Sequence, residues 1–368
     1  MKSVLLLFTI LLVVMQIANC QETKPDFRVI AYYGGSAAKI DSFPVEKLTH
    51  IIYSFCHLKG NKLSVGRAAD SLTIQKLVSL KSKYPKLKVL LSLGGWGGCA
   101  SCSEVFATPK GRRIFARSVR GLKEYFHTDG VDLDWEYPAI EGFPGHRYSP
   151  ADREHFTLLV KALRKKLGRN QEISFAAGGF STYLEKSIDW KKVMPIVNYV
   201  NLMTYDLVHG ASSQTGHLTS LYSTTKQKAS VHDAVSYLDA MHVPRNKLII
   251  GAAFYGRTWD GVANINNGLY QAGVFKSFIP YNRLDSIVST ERGFIFYYDS
   301  TAKANYAYNS AEKIFATFDD KQSIAEKTRY AVQNQLGGIM FWELGLDKNE
   351  NGYLDVIDNT LKSIIRSE

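Results

Sequence analysis

The strongest constraint on the fold is a recurrence. Eight short apolar runs, at 27–33, 48–55, 88–93, 130–134, 173–177, 199–203, 247–253 and 338–342, alternate with helical periodicity along the 368 residues. Runs of this length separated by helical stretches are the pattern of parallel strands joined by crossover helices. Eight such units predict an α/β chain folded as a (β/α)8 TIM barrel, with function at the C-terminal ends of its strands. Helix punctuation agrees. Ser149-Pro150-Ala151-Asp152 supplies a candidate N-cap, a proline in the first turn and an acid at N3, and that segment stops at Gly168.

The spacing breaks once. The first seven strand starts follow one another at roughly 20 to 50 residues, whereas 91 residues separate Lys247 from Gly338. The excess, 258–320, contains Gly293-Phe294-Ile295-Phe296-Tyr297-Tyr298 and Ala304-Asn305-Tyr306-Ala307-Tyr308, which read as short strands. A loop of that length without structure is improbable in a compact domain. We therefore expect a small α+β insertion at 258–320 between strand 7 and strand 8, and a barrel made of 21–257 and 321–368.

Residues 1–20 read as an export signal: Lys2 near the start, an apolar run from Val4 to Ile17, then Ala18-Asn19-Cys20 before a polar stretch. The run is too short for a comfortable membrane span, and no second run of about 18 apolar residues follows. A secreted chain without a membrane span is expected. In a second reading, Ile17-Ala18-Asn19-Cys20 partly resembles a bacterial lipobox and Cys20 carries a lipid at the cell surface, although Asn19 stands where a small residue is usual. Beyond the signal lie Cys56, Cys99 and Cys102. An oxidising compartment favours a bridge, and Cys99 and Cys102 read either as that bridge or as free thiols. No second pair completes a zinc site.

Lys plus Arg outnumber Asp plus Glu by 45 to 34, a formal +11 that falls to +10 once Lys2 is removed. The basic segments 112–123 and 163–169 read as solvated outer helix faces. No nucleic-acid motif accompanies them, so no nucleic-acid partner is expected. Residues 347–358 partly match a calcium loop, but Asp358 stands where a bidentate Glu is usual, and the segment must also turn strand 8 into the last helix. We expect no metal, no cofactor and a monomer.

The most informative stretch is Asp129-Gly130-Val131-Asp132-Leu133-Asp134-Trp135-Glu136-Tyr137-Pro138. Side chains alternate along a strand, so Asp132, Asp134 and Glu136 share one face. In a lone strand that would be a solvated edge. In a parallel barrel both faces are covered, so the acids point inward, must share protons, and raise at least one pKa. A neutral carboxyl is what general acid catalysis at a glycosidic bond needs. Residues two apart lie about 6.6 Å apart along the strand and project the same way, whereas the usual two-carboxylate glycosidases flank the bond from opposite faces. Asp134 is then badly placed as a nucleophile. A substrate 2-acetamido oxygen can attack instead, with Asp134 stabilising the positive charge that develops on the amide.

The run from Asp129 to Pro138 resembles the signature of family 18 glycoside hydrolases, the chitinases, which are substrate-assisted. Ser92-Leu93-Gly94-Gly95-Trp96, Met203-Thr204-Tyr205-Asp206, Phe254-Tyr255-Gly256-Arg257 and Gly338-Ile339-Met340-Phe341-Trp342 are similar to the family's other signatures, in order and at barrel-strand ends. The resemblance implies Glu136 as proton donor, Asp134 as the group that orients the acetamido, and Asp132 as its buried proton partner. It implies Tyr205 and Asp206 as contacts to the sugar at the cleavage site and Trp342 as the stacking floor beneath it. Tyr137, Met203, Trp96, Tyr32, Phe55, Tyr255 and Arg257 complete the candidate sugar-binding set, each with structural support as the alternative role. The implied activity is retaining hydrolysis of β-1,4 bonds in chitin or N-acetylglucosamine oligosaccharides. Two other readings are cleavage of the chitobiose core of N-glycans by an endo-β-N-acetylglucosaminidase and a non-catalytic, lectin-like chitin binder. The presence of Glu136 argues against the last, and the insertion, as a cleft wall, favours chitin over glycans.

Overall fold

A computed structural model describes residues 27–367. The expected export signal and Cys20 lie outside the described residues. Among the described residues there are fourteen strands: β1 (Arg28–Tyr33), β2 (His50–Lys59), β3 (Lys62–Ser64), β4 (Lys88–Gly94), β5 (Gly130–Asp134), β6 (Glu172–Gly178), β7 (Tyr199–Met203), β8 (Leu248–Ala253), β9 (Tyr255–Asp260), β10 (Val274–Pro280), β11 (Ile295–Asp299), β12 (Ala304–Asn309), β13 (Ile314–Phe318) and β14 (Gly338–Trp342). The α-helices are α1 (Ala68–Ser79), α2 (Cys102–Ala107), α3 (Pro109–Phe126), α4 (Asp152–Leu167), α5 (Ser181–Lys186), α6 (Trp190–Val193), α7 (Val231–Ala240), α8 (Tyr281–Ile287), α9 (Lys321–Gln333) and α10 (Tyr353–Ser367).

Eight parallel strands run in the order β1-β14-β8-β7-β6-β5-β4-β2, and the β1–β2 pairing closes them into a barrel. This is the (β/α)8 fold that the eight apolar runs predict. Helices cover the outside because their apolar residues recur at helical spacing. In α3, Phe115, Ala116, Val119 and Phe126 are buried, and Thr108 caps the start by accepting from the Gly111 N–H. The barrel interior holds Ile30, Tyr32, Ile52, Leu90, Ala176, Tyr199, Met203, Ile249 and Met340.

Strands β10-β9-β13-β12-β11 form a second, antiparallel sheet with its own core of Trp259, Val262, Leu269, Tyr306, Tyr308 and Phe315. Its first strand begins at Tyr255, directly after β8, so Arg257 belongs to this sheet. A buried ion pair pins the seam. The Lys327 ammonium lies 2.7 Å from both oxygens of Asp319, and Asp319 also accepts the Ala253 N–H at 3.0 Å. Both charges are out of water, so this seam tolerates loss of neither partner.

Two local expectations need correction. Ser149 is not the N-cap of α4, which starts at Asp152 with Ala151 in the cap position. Asp152 instead turns back to accept the Ser149 N–H at 2.8 Å and the Ser103 hydroxyl at 2.9 Å. The basic segments are not wholly solvated. Arg112 is 7% exposed and donates to the carbonyls of Phe106 and Ala107 at the end of α2. Arg164 likewise donates to the carbonyls of Ile196, Gly168 and Gln171. A guanidinium carries enough N–H groups to serve several chain ends at once. In 347–358, Asp347 accepts the N–H groups of Lys348, Tyr353 and Leu354, which fixes the start of α10. Among the described residues no group of three or more His, Cys, Asp or Glu is arranged to hold a metal ion.

Candidate active site

The acid ladder begins inside the barrel and rises to its C-terminal mouth. Asp132 pairs in register with Ser92 of β4 and Ser174 of β6, so the three side chains share a face. Its carboxylate accepts from Ser174 Oγ (2.6 Å), Ser92 Oγ (2.8 Å), Tyr32 Oη (3.2 Å) and Asn201 Nδ2 (3.3 Å). Burial raises its pKa, and these hydrogen bonds oppose the rise by favouring the charged form.

Asp134, one step higher, has no such cradle. It is buried, and its Oδ1 has no hydrogen-bond partner in the protein. Its pKa stands well above the ordinary range because of burial first, then the charges of Glu136 and Asp132. Glu136 follows the end of β5. Burial pushes its carboxyl up to about 7, with the Tyr137 hydroxyl opposing and the Asp206 charge adding. Two glycines let backbone close on this rung. A Cβ on Gly94 (φ 115°) would strike the Asp134 carbonyl, and one on Gly142 the Glu136 carbonyl.

Aromatic rings surround the ladder. Trp342 stacks on Phe55 with centroids 5.5 Å apart and planes 14° apart, and touches Tyr32 at 5.9 Å. The peptide bonds Ser54–Phe55, Glu136–Tyr137 and Trp342–Glu343 are cis. Tyr205 meets Tyr255 edge-on at 6.1 Å, and its pKa is driven well above 10 by burial and then by Asp134 and Glu136. Tyr137 packs against Tyr183 at 5.4 Å and Phe180 at 5.5 Å. Such ring walls suit the apolar faces of sugars.

The candidate residues divide by location. Asp132, Asp134, Glu136, Tyr32, Tyr137, Met203, Tyr205 and Trp342 meet at the barrel mouth or just within it. Asp206 faces the second sheet, where Arg257 grips it and lies 5.6 Å from the rings of Tyr255 and Phe275. Tyr255 is itself buried and stacks on Phe278. Trp96 stands apart, 58% exposed, touching Tyr137 at 6.2 Å and Phe143 at 5.6 Å. The loop that carries it ends at Cys99 and Cys102, which are bonded to each other, while Cys56 is free and buried.

Sequence reasoning missed Ser92, Ser174 and Asn201, the cradle of Asp132. A signal existed, since each is a polar residue inside an apolar strand at an inward position. Ring partners such as Phe143 and Phe278 lie in loops or on an edge strand, where no periodicity marks them.

Comparison with known proteins identifies the family. The profile of glycosyl hydrolases family 18 matches residues 28–347. Chitinase A1 of Niallia circulans is 36% identical over 316 residues, covering 79% of this chain; the chain spans only 44% of that protein's length. Chitotriosidase-1 of Mus musculus is 29% identical over 87% of this chain and 71% of its own. A family 18 N-acetylglucosaminidase from Paenibacillus barengoltzii superposes with a TM-score of 0.83 at 33% identity, over 91% of this chain and all of that one. From the recurrent strands, the acid ladder and these matches together, the chain belongs to family 18 of the glycosyl hydrolases.

Proposed function

We propose that the protein is a chitinase that cleaves β-1,4 bonds between N-acetylglucosamine units with retention, using the substrate's own acetamido group as nucleophile. The observation that carries this reading is Asp134: a buried carboxyl with an unpartnered oxygen, beside Glu136 and on the same side of the strand. A second carboxylate on the opposite face of the sugar is not required when the acetamido oxygen attacks. Glu136, titrating near neutrality, gives its proton to the glycosidic oxygen as the acetamido oxygen attacks the anomeric carbon and the glycosidic bond breaks. The Asp134 carboxylate accepts the acetamido N–H and stabilises the oxazolinium cation, while Asp132 holds the proton the two acids share. Water then opens the ring from the other side, and Glu136 takes its proton.

In this reading Trp342 is the floor under the cleaved sugar, Tyr205 and Asp206 contact it, and Trp96 extends the groove. The second sheet, largely 258–320, acts as a wall. Export by residues 1–20 belongs to the same proposal, and among the described residues no helix is long and apolar enough to cross a membrane. Similarity to a family 18 N-acetylglucosaminidase supports a second reading, in which single N-acetylglucosamine units are released.

The test is a product profile on N-acetylglucosamine oligomers beside an N-glycosylated protein, for the wild type and Glu136→Gln. Oligomer cleavage that Glu136→Gln abolishes, with oligomer binding retained, supports the chitinase. Release of glycans alone, or turnover by a folded Glu136→Gln variant, contradicts it.

A further inference from the structure

A cavity of about 520 Å³ lies between the loop 206–230 and the second sheet. Gln214 and Thr224 line it from the loop, Asn266, Tyr270 and Gln271 from the β9–β10 connection, and Asp299 from the end of β11. No residue of the acid ladder, the Trp342 floor or the Asp206–Arg257 pair lines it. We propose that this cavity is a second, non-catalytic saccharide site. Its identity as a site for N-acetylglucosamine oligosaccharides rests on the function proposed above.

The lining chemistry points to a neutral polyhydroxyl ligand. Amides and hydroxyls offer both donors and acceptors, the Lys226 ammonium adds a donor that hydroxyl oxygens can accept from, and one aromatic ring offers a face. The volume falls in the range of small-ligand sites. Charge is not available for a cation. Asp299 is already committed, with Oδ2 2.9 Å from His217 Nε2 and Oδ1 accepting the N–H groups of Thr301 and Ala302.

Backbone geometry supplies an independent argument. Asn266, Asn267 and Tyr270 all hold left-handed conformations, with φ of 50°, 52° and 59°. For a bulky tyrosine this region is costly, and such costs gather where a ligand is held. The conformation is over-determined: the Tyr270 hydroxyl bonds Thr224 Oγ1 at 2.9 Å, and Gln271 N–H donates to Thr215 Oγ1 at 2.9 Å. Loop and second sheet thus fix the tyrosine at the cavity wall.

The test is a calorimetric titration of the full chain carrying Glu136→Gln with an N-acetylglucosamine hexasaccharide, with and without allosamidin to block the cleft. Two classes of site are expected, one of them surviving the blocker. Tyr270→Gly removes the ring yet keeps the left-handed backbone unstrained, and Thr224→Val removes a hydroxyl at constant shape. In the Glu136→Gln chain each should abolish the surviving class. In the wild-type enzyme each should leave hydrolysis of a short soluble substrate unchanged while weakening adsorption to solid chitin about tenfold, or ~1.4 kcal/mol. A single class, lost on blocking, overturns the second site and leaves the chitinase reading standing. Absence of all saccharide binding overturns both.

Discussion

Arg257 grips Asp206 through two parallel hydrogen bonds, 2.7 Å from Nε to Oδ1 and 2.8 Å from Nη2 to Oδ2. Asp206 follows barrel strand β7 and holds a left-handed φ of 52°, whereas Arg257 sits on the first strand of the second sheet. One ion pair therefore couples the barrel mouth to its wall, and it is bidentate, a geometry lysine cannot reproduce. Arg257→Lys should lower kcat/KM on N-acetylglucosamine oligomers about 10- to 100-fold with the thermal midpoint little changed. Steady-state kinetics beside a melting curve checks this, and unchanged kinetics would show that Asp206 is oriented by other contacts.

Ser174 donates the shortest hydrogen bond to Asp132, at 2.6 Å. Ser174→Ala removes a contact that favours the carboxylate, so the Asp132 pKa rises and the proton it shares with Asp134 is held more tightly. The expected result is an acid limb of the pH profile displaced upward with a nearly constant KM, because the productive form needs the proton on Asp132 and the charge on Asp134. A purely structural role would leave the limb where it was.

Glu136 predicts two pH effects of the same sign, one on activity and one on stability. As a proton donor with a pKa of about 7, it should lose activity as pH rises through 7. For stability, the folded chain keeps a proton that the unfolded chain releases above the ordinary value of 4.5. Stability should therefore fall as pH rises from about 4.5 to 7, with the full cost present above that. Glu136→Gln removes the charge, and should be more stable than wild type at pH 8 by about 1–3 kcal/mol, with the gap closing near pH 4. Denaturant titrations at the two pH values measure it. Equal stabilities at pH 8 would contradict the burial of this carboxyl.

How much of this was legible before the structure follows from which residues carry a period. The eight apolar runs are parallel strands buried on both sides, so continuous hydrophobicity marked them. The two-residue alternation of Asp132, Asp134 and Glu136 placed those acids on one face. The cradle of Asp132 was hidden because Ser92, Ser174 and Asn201 come from three different strands, and only the register brings them together. Arg112 and Arg164 misled for a related reason. A basic residue on a helix reads as solvated unless the chain ends it serves are known, and those lie up to 32 residues away. The Asp206–Arg257 pair spans 51 residues and depends on where the second sheet begins, which composition alone does not show.

Cys99 and Cys102 close a very short loop beside Trp96, which glycines 94, 95, 97 and 98 flank. Without the bond, that segment gains freedom both in the unfolded chain and around the ring. Cys99→Ser with Cys102→Ser should cost about 2 kcal/mol of stability. It should also raise KM for long oligomers more than for short ones, because Trp96 is the outlying contact. Equal KM changes for both substrate lengths would remove Trp96 from the groove.

The central claim is that the substrate's acetamido group, held by Asp134 and activated by Glu136, does the attacking. Fast proton NMR of the first product released from N-acetylglucosamine oligomers tests it most directly. The account predicts the β anomer, appearing first and only later equilibrating by mutarotation. An initial α anomer would mean direct attack by water and would contradict it.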